Sequence, residues 1–156
     1  MGLIFDELTV TGTDQKFTLG TTRKVGDKSY IYCQIAAASG ACANGSVLYY
    51  TSTEGVFTTS GTAAVRNLVK GVGNHAIAAG SFGWVQTWGD HTAVKTNGDD
   101  DIAAGDSLIG LSSTGTCDSV AGGTAPTYNA FGIATAADVD SQDTVAAYLI
   151  IQSASN

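Results

Sequence analysis

The sequence predicts an all-β fold, a small β-barrel or two-sheet sandwich of antiparallel strands with an extended N-terminal arm. Short runs alternate apolar and polar residues, as half-buried strands do. Gly, Asn and Asp punctuate those runs where tight turns are needed. One turn-into-strand pattern also recurs: an apolar residue, Ala, a small residue, Gly, then Ser or Asp. It occurs at Cys42–Ser46, Ile77–Ser81 and Ile102–Asp106. The uneven spacing of these repeats suits a barrel or sandwich rather than a solenoid.

Residues 1–18 carry Phe5, Leu8, Val10 and Phe17 scattered among Thr, Gly and Asp, and read as an extended arm. Such an arm serves as a tether to a partner, a frayed end, or the first strand of the sheet. The domain proper then runs over residues 19–156, opening with a Lys-, Arg- and Gly-rich turn from Thr21 to Asp27. Lys28 to Ile35 alternates, with Ile31, Cys33 and Ile35 on one face and Tyr30, Tyr32 and Gln34 on the other. Ser46–Thr51 is the next strand, and Val56 and Phe57 suggest a short one inside an exposed Thr/Ser/Gly loop. A strand is expected over Asn67–Val72. Two more, Gly83–Gly89 and His91–Lys95, are expected on either side of Asp90, and another over Ser107–Leu111. Ser112 to Tyr128 reads as a long loop holding Cys117 and the single proline, Pro126. Asn129–Ala134 and Val145–Ile151 are the last strands, and a helical turn or two fits only Ala136–Asp143. Both faces of the final strand are apolar, which predicts cover on both sides, by core and by a neighbouring layer or subunit. The total is about eight to ten strands.

Length and composition narrow the function. At 156 residues the chain is one domain. The net charge of −7 argues against nucleic acid, which demands clustered Lys and Arg. Every basic residue lies at or before Lys95, so the last third is purely acidic, a distribution that serves solubility or orients the protein on a larger assembly. Met1 is followed by no basic n-region and no long apolar run, so neither a signal peptide nor a membrane span is expected, and synthesis is expected in a cytosol. Cys33, Cys42 and Cys117 match no zinc spacing and read as small buried thiols, with a Cys33–Cys42 bridge disfavoured in a reducing compartment.

Catalytic signatures are missing from the sequence. His75 and His91 stand in no metal-binding pattern and read as surface or turn histidines. No nucleophile elbow, phosphate loop or paired carboxylates appear. Asn97-Gly98-Asp99-Asp100-Asp101 lacks the ligand spacing of a calcium loop and reads as a solvated turn. No catalytic residue, metal ligand or cofactor is assigned, and no enzyme is expected. Trp84, Gln86 and Trp88 fall on one face of one strand, where the indoles serve as a core or interface anchor or as a stacking platform for a sugar.

The order of several short motifs is more specific. Phe17-Thr18-Leu19-Gly20-Thr21, Gly26 to Tyr32, Phe82 to Gln86, Ile102 to Asp106, Phe131 to Ala134 and Ala147 to Ile150 follow one another across most of the chain. This succession resembles the small decoration (cement) proteins of tailed-bacteriophage heads. The resemblance implies a non-enzymatic β-rich module on the outer capsid surface of the virion, made in the host cytoplasm. It implies a homotrimer that clamps neighbouring major capsid subunits. The expected interface comprises Leu3, Ile4, Phe5 and Leu8 of the arm together with Trp84 and Trp88, with Arg23 and Lys24 meeting acidic capsid surface. The alternative is a carbohydrate-binding module or a head-fibre or receptor-binding domain, which requires a Trp-centred groove.

Overall fold

The computed structural model describes residues 4–61, 68–98, 101–111, 115–122, 124–125, 129–138 and 143–151, with side chains from Glu7 onward. Among them lie one short helix and ten strands, so the fold is all-β. The strands are β1 (Thr22–Val25), β2 (Lys28–Ile35), β3 (Val47–Tyr50), β4 (Val56–Thr58) and β5 (Val69–Val72). They continue with β6 (Phe82–Lys95), β7 (Ser107–Gly110), β8 (Cys117–Val120), β9 (Ala130–Ala134) and β10 (Thr144–Ile150). The sheet order is β1-β2-β4-β3-β5-β6-β10-β9-β7-β8, and a further β2–β6 pairing closes β2, β4, β3, β5 and β6 into a five-stranded barrel. Among the described strands all pairings are antiparallel except β2–β4, where antiparallel pairing was expected throughout.

Side-chain alternation divides the interior into three regions. Inside the barrel pack Ile31, Cys33, Ile35, Cys42, Leu48, Phe57, Ile77 and Val85. Gly71 makes room there: a Cβ on it would lie 2.6 Å from Val85 Cγ2. Val47 and Tyr49 flank Leu48 and so point out of the barrel. They meet a wing formed by β10, β9, β7 and β8, whose inner face supplies Leu108, Cys117, Phe131, Ala134, Val145, Ala147 and Leu149. Tyr49 completes this second layer by donating its hydroxyl to the Leu111 carbonyl at 2.6 Å. The third region lies outside β2 and β6, where Leu8 covers Tyr30, Tyr32 and Trp84.

Five strands are entered through one kind of turn. The amide of Thr21 donates to the Thr18 carbonyl, Ser46 to Ala43, Val56 to Thr53, Ser81 to Ala78, and Asp106 to Ala103. The third residue of each turn is a glycine with φ between 70° and 96°, the left-handed region a type II turn requires. These turns lead into β1, β3, β4, β6 and β7. In two of them the fourth side chain also accepts from the backbone: Ser46 Oγ from Ala43 N–H at 3.0 Å, and Asp106 Oδ2 from Ala103 N–H at 2.9 Å. The apolar residue before the turn is buried in all three repeats noted in the sequence, and Cys42 pairs directly with Ile77.

Several elements differ from expectation. The arm is not extended throughout: helix α1 spans Ile4–Thr9, and Gly12 then bridges to Phe82, so the segment lies against the barrel. Leu8 explains the docking, since its side chain fills the aromatic layer. The Thr21–Asp27 turn region contains β1, which shares a hairpin with β2 across Gly26-Asp27. The two strands expected around Asp90 form one fourteen-residue strand, β6, because Gly89 takes φ 89° and the chain continues without reversing. The 112–128 loop contains β8, hydrogen-bonded to β7. The helix expected at 136–143 falls partly outside the described residues, and Ala136–Asp138 is not helical.

Candidate functional site

β6 carries two tryptophans into different environments. Successive residues Ser29 and Tyr30 of β2 pair with Trp88 and Gln86 of β6, so Thr87 is an extra residue in the ladder. Such a bulge shifts the side-chain alternation, and Trp88 leaves the face shared by Trp84 and Gln86. Trp84 is fully buried, whereas Trp88 is 40% exposed. The two rings therefore do not form one stacking platform.

On the outer side of the wing, Trp88 pairs with Ile150. The adjacent row runs Asp90, Tyr148, Ile133, Ser107 and Val120 across β6, β10, β9, β7 and β8. Directly paired residues share a face. Trp88 meets Tyr148 edge-on with centroids 5.8 Å apart. Ile133 is 42% exposed, and Tyr148, Ile150, Ala146 and Val120 are half-buried. The result is an apolar strip on a hydrogen-bonded, twisted sheet, with Asp90 as an exposed charge beside it. The opposite face of β10, Val145, Ala147, Leu149 and Ile151, is core. The final strand thus has two apolar faces, as its sequence indicated, and among the described residues one is buried in the core while the other is only half-buried.

The other expected interface residues lie apart from this strip. Leu3 falls outside the described residues, as do the side chains of Ile4 and Phe5. Leu8 and Trp84 pack against each other inside the chain and are not exposed in this conformation, unlike the exposed interface expected of both. Arg23 is likewise engaged internally. Its guanidinium pairs with Glu7 and lies 5.0 Å from the Trp84 ring centroid and 5.4 Å from that of Phe17. Lys24 is exposed, because it alternates with Arg23 along β1. Trp88 alone of the predicted aromatic pair reaches solvent. Tyr148, Ile133 and Ile150 were missed individually; the two-sided apolarity of the last strand was the signal for Tyr148 and Ile150, while Ile133 joins them from β9 by pairing with Tyr148.

The histidines and cysteines are wholly or partly buried. His91 is buried, not at the surface, with Nε2 donating to the Gly73 carbonyl at 3.0 Å and Nδ1 accepting from Ala93 N–H at 3.2 Å. Burial lowers its pKa, the Gly73 bond opposes that shift, and nearby Lys28 adds to it. Burial also lowers that of His75. All three cysteines are free and buried. Burial pushes Cys42 up to about 12 despite Lys95, and pushes Cys33 and Cys117 higher still. Such thiols are poor nucleophiles and poor metal ligands. Among the described residues no group of three His, Cys, Asp or Glu is arranged to hold a metal ion, and no helix is long and apolar enough to cross a membrane. No protein-family profile matches the chain, and no curated protein matches it.

Proposed function

We propose that this chain is a non-enzymatic structural protein that binds the outer surface of a tailed-phage capsid and stabilises contacts between major capsid subunits. The observation that carries this reading is the apolar strip of Trp88, Tyr148, Ile133 and Ile150 on a rigid sheet. Exposed aromatic and aliphatic side chains gathered on one face mark protein-docking surfaces. A hydrogen-bonded sheet presents them with little backbone freedom left to lose on association. The partner in this proposal comes from the resemblance of the motif order to phage decoration proteins, and homotrimeric assembly on the virion belongs to the same proposal. Repetition over a shell multiplies modest contacts into stable attachment.

Co-sedimentation with undecorated, expanded heads of the cognate phage tests the proposal. The wild-type protein pellets with the heads and Trp88→Ser does not, while both remain folded by circular dichroism. Retention of Trp88→Ser on the heads, or failure of the wild type to bind any ordered shell, overturns it.

A further inference from the structure

The contacts described between residues 7–16 and the barrel are local ones, and a second copy's segment could make each of them. From Glu7 to Lys16 the only fully buried apolar side chain is Leu8, while Val10 is exposed. Gly12 and Phe82 exchange one pair of backbone hydrogen bonds, and Lys16 N–H donates to the Tyr32 hydroxyl at 3.1 Å. The Glu7–Arg23 pair sits in solvent, where ion pairs contribute little.

A solvent-open cleft of about 120 Å³ runs beside the segment, lined among others by Glu7, Val10, Thr11, Tyr32, Phe82 and Trp84. Trp84 Nε1 is buried without a hydrogen-bond partner. Phe17 is held between Tyr32 and Trp84, with centroids 5.2 and 5.3 Å away, whereas residues 13–16 are exposed and form no helix or strand. The pivot therefore lies just before Phe17.

We propose that residues 4–16 form a strap that lifts as a unit and seats reciprocally on the Tyr32, Phe82 and Trp84 face of a second copy. The occupant is defined by the fold: the strap already complements this face, and its contacts are the same within one chain or between two. Exchange is then governed by protein concentration and by the reach of residues 13–16. It is independent of the Trp88 strip, which lies elsewhere on β6.

A charge swap tests exchange directly. Glu7→Arg places two cations at the strap joint, and Arg23→Glu places two anions there. Only reciprocal exchange between the two variants restores an opposite-charge pair at both joints. Native mass spectrometry of the mixed full-length variants is expected to show heterodimer at least about tenfold above either homodimer; two unmixed populations overturn the exchange. Hydrogen exchange on the wild type guards against misfolded variants. The Gly12 and Phe82 amides should exchange at least about a hundredfold faster than the Ile35 amide, which donates to Ser81 in the barrel wall. Exchange of all three only through global unfolding overturns the strap.

Discussion

The Gln86 side-chain amide donates to the Asp90 carbonyl at 2.9 Å, bridging the stretch where β6 changes its outward face. The same nitrogen lies 3.1 Å from the carbonyls of Trp88 and Gly89. Gln86 is buried, so this amide stands in for the ladder bonds that the bulge at Thr87 and the left-handed Gly89 disrupt. It holds the geometry that sends Trp84 inward and Trp88 outward.

Replacing Gln86 with Leu keeps much of the volume and removes the donor. Buried carbonyls then lose their partner, and the expected cost is about 2–3 kcal/mol. Urea denaturation measures it, and Trp88 emission should shift as the bend loosens. An unchanged midpoint would remove Gln86 from this role.

The repeated glycine turns predict unequal costs for one substitution. A Cβ at Gly105 meets nothing within 4 Å, so Gly105→Ala carries only the left-handed backbone penalty of about 1 kcal/mol. A Cβ at Gly45 would overlap the Ala93 carbonyl of β6. Gly45→Ala should therefore cost about 3 kcal/mol or more, since strand β6 must shift as well. Equal losses in denaturant titrations would contradict this packing.

Acid should weaken the fold before the carboxylates titrate. Burial lowers the pKa of both His75 and His91 below the ordinary 6.5. Between that value and the lower folded values the unfolded chain holds more protons, so stability falls as pH drops. Protonating His91 Nδ1 would also set an N–H against the Ala93 N–H that it now accepts from. The urea midpoint should decline from about pH 7 to about pH 5, and a flat profile would contradict the buried neutral imidazoles.

The thiols predict the opposite limb. Their folded pKa values lie above the ordinary 9.0, so the stabilisation they lend is complete below that value and is lost as pH rises through it. At neutral pH a disulfide reagent should leave the native protein unmodified and label three cysteines after unfolding. Rapid labelling of the native protein would show that the barrel and wing cores open readily.

On the Trp88 strip, stability and docking should separate. Trp88→Ser removes one exposed edge-to-face pair and is expected to cost about 1 kcal/mol or less. Its effect on capsid attachment should be far larger, because docking depends on apolar area that the isolated chain leaves in water. Parallel thermal melts and co-sedimentation distinguish the two. A large melting shift with unaltered binding would assign Trp88 to the fold instead.

Local pattern was enough to read the all-β class, most strand positions and three of the glycine turns from the sequence. Alternation sets which side chains face inward, and glycine alone adopts positive φ at little cost, so both signals act within a few residues. The turns at Thr18–Thr21 and Thr53–Val56 escaped because neither carries the Ala, small residue, Gly, Ser or Asp succession of the other three. β8 escaped because Cys117-Asp118-Ser119-Val120 is held by pairing with β7 rather than by its own pattern. Closure of β2 onto β6, the bulge at Thr87, the burial of Leu8 and Trp84, and the capture of Arg23 by Glu7 were decided only in three dimensions. Each depends on residues distant in the chain meeting at one place. A single unpaired residue in a ladder reverses every side chain after it, which is why two tryptophans four positions apart came to serve the core and the surface.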